Sequence, residues 1–123
     1  MNHPFDQFNK QSYLNIETYR KNGQGVKTPV WFCQEGEVLY VRTFPRSGKV
    51  KRVRNNPLVR VAPCGMGGEV CGEWVETSAQ LVDEKEAERI NGLLSRKYGL
   101  IKWLFELFGK REKQVVLAIR VRN

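Results

Sequence analysis

Residues 13–44, YLNIETYRKNGQGVKTPVWFCQEGEVLYVRTF, decide the fold. Leu14, Ile16 and Thr18 alternate with their neighbours at the period of a strand that buries one face, which predicts a strand over residues 13–19. Asn22-Gly23-Gln24-Gly25 follows, a run of residues that tolerate the positive φ a tight hairpin needs. A second strand is predicted over residues 27–34. Glu35-Gly36 supplies the next turn, and the β-branched and aromatic run 38–44 completes a three-strand meander that Pro45 ends.

Working outward, Phe5 and Phe8 suggest a short amphipathic start. Past Pro45 the alternation stops, and residues 46–56 form a basic segment able to make about two helical turns before Asn55, Asn56 and Pro57 close it. Residues 58–63 resume as strand, Gly65-Met66-Gly67-Gly68 is a flexible turn, and residues 70–82 are predicted as one long strand bent near Gly72. Asp83 is a good N-cap with Glu86 three residues on, and Ala87, Ile90, Leu94 and Tyr98 repeat at helical spacing up to Gly99. Ile101, Leu104, Phe105 and Phe108 predict a second apolar helix over residues 100–108, stopped by Gly109, and residues 114–121 read as the last strand. Six strands with hairpin connections and helices late in the chain predict a mainly β architecture, a six-stranded antiparallel barrel with peripheral helices.

At 123 residues the chain is read as one domain, 1–123. Its net charge of +8 favours an anionic partner, whether nucleic acid, an anionic membrane or a phosphorylated small molecule. Cys33, Cys64 and Cys71 are an odd number without CxxC spacing, so they read as reduced thiols rather than a zinc site or a disulfide framework. The first fourteen residues lack the apolar core of a secretory signal, and the stretch 100–108 is too short to span a bilayer and contains Lys102 and Glu106. The expectation is a cytoplasmic protein with no membrane partner.

His3 is the only histidine and lies at the terminus, which leaves a hydrolytic triad without a base and a His-based metal site without ligands. HExxH, GxxxxGK[ST] and GxGxxG are absent. Glu73 and Glu76, three apart on a strand, face opposite ways and make no carboxylate pair. Cys33 and Cys64 sit in apolar strands and read as inert buried thiols. The anomaly is charge segregation: residues 38–68 hold no acid, yet carry Arg42, Arg46, Lys49, Lys51, Arg52, Arg54 and Arg60. Within that run Arg46-Ser47-Gly48-Lys49 places a hydroxyl, an approachable backbone and two cations at a strand-to-helix transition, where backbone N–H groups and the helix dipole favour an anion. A merely solvated cationic face, and a single-strand nucleic-acid barrel with Trp31, Tyr40 and Phe44 as stacking platforms, are the competing readings. Trp31 and Phe44, in apolar strands, are placed in the core.

The ordered motifs Thr28-Pro29-Val30-Trp31-Phe32, Leu39-Tyr40-Val41-Arg42-Thr43, Ser47-Gly48-Lys49-Val50-Lys51-Arg52, Asn56-Pro57, Val59-Arg60-Val61-Ala62-Pro63-Cys64 and Gly72-Glu73-Trp74-Val75 together resemble the pyridoxamine 5'-phosphate oxidase-like split β-barrel proteins. The nearest branch is the class that uses coenzyme F420, a deazaflavin, and the resemblance spans residues 13–121. It implies a homodimer with two FMN- or F420-type sites at the subunit interface. Thr28, Pro29, Val30 and Trp31 would lie along the tricyclic ring, and Val41, Arg42 and Thr43 beside the ribityl chain. Ser47, Gly48, Lys49 and Lys51 would fall on the phosphate, and Trp74 would reach in from the partner subunit. Lacking the additional C-terminal segment of a full pyridoxamine phosphate oxidase, the chain is not expected to perform that specific reaction.

Three readings follow: an oxidoreductase that passes hydride between F420 or FMN and a small-molecule substrate, a non-catalytic carrier of the same cofactor, and a nucleic-acid-binding barrel. Surplus cations such as Arg52, Arg54 and Arg60 lean toward the longer anionic tail of F420. Arg52 and Arg54 are expected to face away from the phosphate if their segment is helical.

Overall fold

The computed structural model describes residues 3–99 and 114–122. Seven strands, β1 (Tyr13–Tyr19), β2 (Gly25–Trp31), β3 (Cys33–Glu35), β4 (Val38–Thr43), β5 (Leu58–Cys64), β6 (Val75–Leu81) and β7 (Val115–Val121), form one sheet in the order β2-β1-β5-β6-β7-β4-β3. Every neighbouring pair is antiparallel. The two marginal strands, β2 and β3, are consecutive in the chain with only Phe32 between them, so the sheet curls until its margins meet. This is a barrel closed by covalent continuity.

The alternation read in the sequence is what fills it. Leu14 and Ile16 of β1, Leu39 and Val41 of β4, Val59 and Val61 of β5, and Leu117 and Ile119 of β7 are fully buried on the inner face. A 3-10 turn, Pro4–Phe8, caps one end, where Phe5, Phe8 and Phe32 pack edge to face with centroids 5.6 and 5.7 Å apart. The other end is closed by helix α1 (Gly48–Asn55), which inserts Val53 into the same core and buries Val50. Helix α2 (Glu84–Tyr98), capped by Asp83 and ended by Gly99 at φ +49, lays Ala87, Ile90 and Leu94 on the outer face of the sheet against Cys33, Tyr40, Val116 and Ala118. The spacing of its apolar residues thus produces a second core outside the barrel. No helix among the described residues is long and apolar enough to cross a membrane.

Four expectations need correction or placing. The strand predicted over 27–34 breaks at Phe32, whose N–H donates to Tyr98 Oη (3.0 Å) and whose carbonyl accepts from Lys97 Nζ (2.8 Å). With both backbone groups held by α2, Phe32 leaves the ladder, and six predicted strands become seven; counted as one bent strand, β2 and β3 restore six. The strand predicted over 70–82 begins only at Val75, because Glu73 N–H and C=O are taken at 2.8 Å by the Gln7 side chain and Val70 makes just one bridge, to Cys64. Phe44, placed in the core from its neighbours, is 39% exposed, because β4 ends at Thr43 and the chain turns away. The apolar helix predicted over 100–108 lies outside the described residues.

Candidate functional site

The basic turn forms where β4 gives way to α1. Ser47 is the N-cap: its Oγ accepts from Val50 N–H at 3.3 Å and lies 3.1 Å from Thr43 Oγ1, so the last residue of β4 is tied to the first turn of the helix. The N–H groups of Gly48 and Lys49 have no intrahelical acceptor, and the first turn carries no acid that would compete for them. Gly48 is exposed and lacks the side chain that would cover this backbone.

Lys49 is half-buried, and its pKa is lowered, first by burial and then by the neighbouring Arg52 charge. Arg52 was expected to face outward; instead it folds back along the helix. Its Nε donates to Thr18 Oγ1 at 2.6 Å, Thr18 being fully buried at the end of β1, and a Cβ placed on Gly48 would lie 2.6 Å from its Nη1. Arg52 is itself depressed by burial and by Arg20. Among the described residues, no carboxylate contributes to the electrostatics of Lys49 or Arg52. Two cations therefore converge on a helix start without a counter-charge, which is what a dianion requires. Lys51 and Arg54 are exposed.

The other predicted residues fall in three places. In β2, Thr28 and Val30 turn inward, opposite Ile16 and Leu14, and are part-buried; Pro29 is exposed on the outer face. Trp31 stacks on Tyr98 with centroids 4.9 Å apart and 17° between planes. In β4, Val41 is fully buried in the barrel core, so only its backbone is available to a ligand; Arg42 is part-buried and Thr43 buried against Ser47. β2 and β4 approach each other across the closed margin. Trp74 stands apart on the outer face, with the Arg60 guanidinium 4.5 Å and the Lys27 ammonium 5.5 Å from its ring centroid. Arg60 also pairs with the buried Glu17 carboxylate, so it is a structural cation rather than a surplus one.

Thr18 and Arg20 are the neighbours of this turn that sequence reading did not single out, and Arg52 is the cation it set facing away from the phosphate. The spacing of Gly48 and Arg52, four apart on one helix face, was a usable signal: a glycine there lets a long side chain one turn on lie across the helix start. Cys33 and Cys64 are buried and pushed by burial up to about 11, as expected of inert thiols. Of the three aromatics considered as base platforms, Tyr40 is buried and Trp31 is covered by Tyr98, leaving Phe44.

No family model and no curated protein matches the sequence. Solved structures do. A candidate pyridoxamine 5'-phosphate oxidase from Listeria innocua superposes with a TM-score of 0.70 at 19% identity, over 94% of this chain and 88% of that one. An F420 reductase gives 0.64 at 16% identity, over 100% and 97%. HutZ, the heme storage protein of Vibrio cholerae, gives 0.72 at 13% identity, over 94% and 84%. The fold is the pyridoxamine 5'-phosphate oxidase-like split β-barrel. The neighbours' printed names span different chemistries, an oxidase, a reductase and a heme storage protein, so function is argued from the site.

Proposed function

We propose that this chain is a single-domain oxidoreductase that holds a flavin-type cofactor, FMN or coenzyme F420, with the cofactor phosphate at the start of α1. The observation that carries this reading is the positive charge gathered at Ser47: Lys49 and Arg52 meet there with two N–H groups lacking helical acceptors and, among the described residues, no opposing carboxylate. A phosphate dianion fits these donors. Lys49 would act as a point charge, Arg52 as a planar donor held in place by Thr18, the Gly48 and Lys49 N–H groups presented by the Ser47 cap as the backbone cradle, and Lys51 as a peripheral cation.

Thr28, Pro29, Val30 and Trp31 would line the ring, Arg42, Thr43 and the Val41 backbone the ribityl chain, and Trp74 would approach from the partner subunit of a homodimer. When bound, the cofactor supplies hydride exchange at its ring with a small-molecule substrate on the open face. The chain's part is to anchor the phosphate, orient the ring and keep water from one side of it. The proposed setting is the cytoplasm, where three free thiols stay reduced.

Titration of the purified protein with FMN and with F420, followed by fluorescence, tests the reading; failure to bind either at micromolar concentration overturns it. A second reading, a carrier that stores cofactor without turnover, is favoured by one observation: none of Thr28, Pro29, Val30 and Trp31 can act as an acid or base near neutral pH. Bound, reduced cofactor that no tested acceptor reoxidises would select the carrier.

A further inference from the structure

A second cationic cleft lies at the opposite end of the barrel from Ser47. Residues 8–10, which follow the 3-10 turn, form one wall, Phe32, Cys33 and Gln34 the floor, and Leu93, Arg96 and Lys97 of the last turns of α2 the other wall. Its volume is about 450 Å³, within the range of small-molecule sites. Of the nine described residues that line it, three are cations, Lys10, Arg96 and Lys97, and none is an acid.

Cations in the last turn of a helix are ordinary, since the carbonyl end of the dipole favours them. Lys10 has no such explanation. It comes from a different element, and it holds a left-handed backbone, φ +66, the one such non-glycine residue among those described. That conformation costs a lysine of order 1 kcal/mol against a glycine or asparagine in the same place. Lys97 is fixed toward the cleft floor: its Nζ lies 3.8 Å from the Phe32 ring centroid and donates to the Phe32 carbonyl. Burial lowers its pKa, and among the described residues only Cys33 acts in the opposite direction. Among the described residues no ion pair engages Lys10, Arg96 or Lys97. The Gln34 amide is already engaged, its Nε2 donating to the Phe5 and Gly36 carbonyls at 3.2 and 3.4 Å, so the cleft's charged donors are the three cations.

We propose that this cleft is a second anion-binding site, separate from the Ser47 turn, that takes the phosphate group of a small phosphorylated molecule. Two ammonium groups and a guanidinium drawn from opposite walls suit the three charged oxygens of a phosphate better than a carboxylate, which offers two. The site lies a strand's length from the start of α1, since Tyr13 of β1 begins near it and Thr18 of β1 ends on Arg52.

The test is an amide NMR titration of the full chain with inorganic phosphate and, separately, with glycerol phosphate, at matched ionic strength and up to about 10 mM, enough to detect a millimolar dissociation constant. The expected result is saturable shifts at Lys10, Gln34 and Lys97. In the Lys10→Ala/Arg96→Ala variant, which changes two exposed side chains, those shifts should need at least tenfold more phosphate while the Gly48 and Lys49 responses persist. Equal affinity for both probes means the phosphate alone is read; tighter binding of the ester means the walls touch the rest of the molecule, and either supports the site. No saturable shift at these three amides, or the same shifts in the variant, overturns it. Because Gly48 and Lys49 report separately, failure here is distinguishable from failure of the cofactor reading.

Discussion

Lys49 holds a half-buried position beside Arg52, and the two are not equivalent to the exposed cations around them. Lys49→Ala and Arg52→Ala should each weaken FMN or F420 binding about tenfold, or roughly 1.4 kcal/mol, whereas Lys51→Ala should cost less than half of that in free energy because its head is screened by water. Equal losses from all three would make the cluster a diffuse field. Since Lys49 is depressed below the usual lysine range, binding should weaken as pH rises through its lowered pKa, before ordinary lysines titrate, and the Lys49→Arg variant should push that loss to higher pH. The buried thiols give a second pH effect. Cys33 and Cys64 bind their protons more tightly in the folded chain, up to about 11 against a usual value near 9, so their contribution is fully present below about 9 and is lost as pH rises toward 11. Denaturation midpoints measured between pH 8 and 11 should fall across that window, and Cys71, exposed, should be alkylated ahead of both.

At the scale of elements, caps and alternation were legible because they are local. Asp83 caps its helix as its residue type predicts, Ser47 proves to cap the helix whose segment was predicted from residue 46, and β1 has the bounds its pattern predicts. The break at Phe32 was not legible. Its cause is Tyr98, 66 residues away, and nothing in the apolar run itself marks the point at which the ladder ends. The missing first half of the strand predicted over 70–82 has the same kind of cause, since Gln7 satisfies Glu73 from 66 residues upstream. Arg52 lies between these cases: its helix was foreseen, but the direction of its side chain depends on Thr18 and on the space above Gly48. The two caps allow a discriminating experiment. Ser47→Ala and Asp83→Ala should each lower stability by about 1 kcal/mol in chemical denaturation. Only Ser47→Ala should also weaken cofactor binding.

For the whole molecule, the proposed dimer is checked by sedimentation: the chain should run at twice its mass of 14.3 kDa, and a monomer that still binds FMN tightly would remove the interfacial site from the proposal. The closure at Phe32 has a further consequence. Tyr98 Oη accepts from Phe32 N–H and lies 2.6 Å from Phe32 O and 2.7 Å from Ser12 O, one of which takes its proton. A single phenol at the end of α2 thus latches together the start of β1 and the seam between the sheet's two margins. Tyr98→Phe keeps the ring that stacks on Trp31 but leaves a buried N–H unpaired, a loss of about 1–3 kcal/mol. In hydrogen exchange the Phe32 amide should then open with the end of α2 rather than with the barrel. The barrel would come undone at its seam, from the outside, before its core strands exchanged.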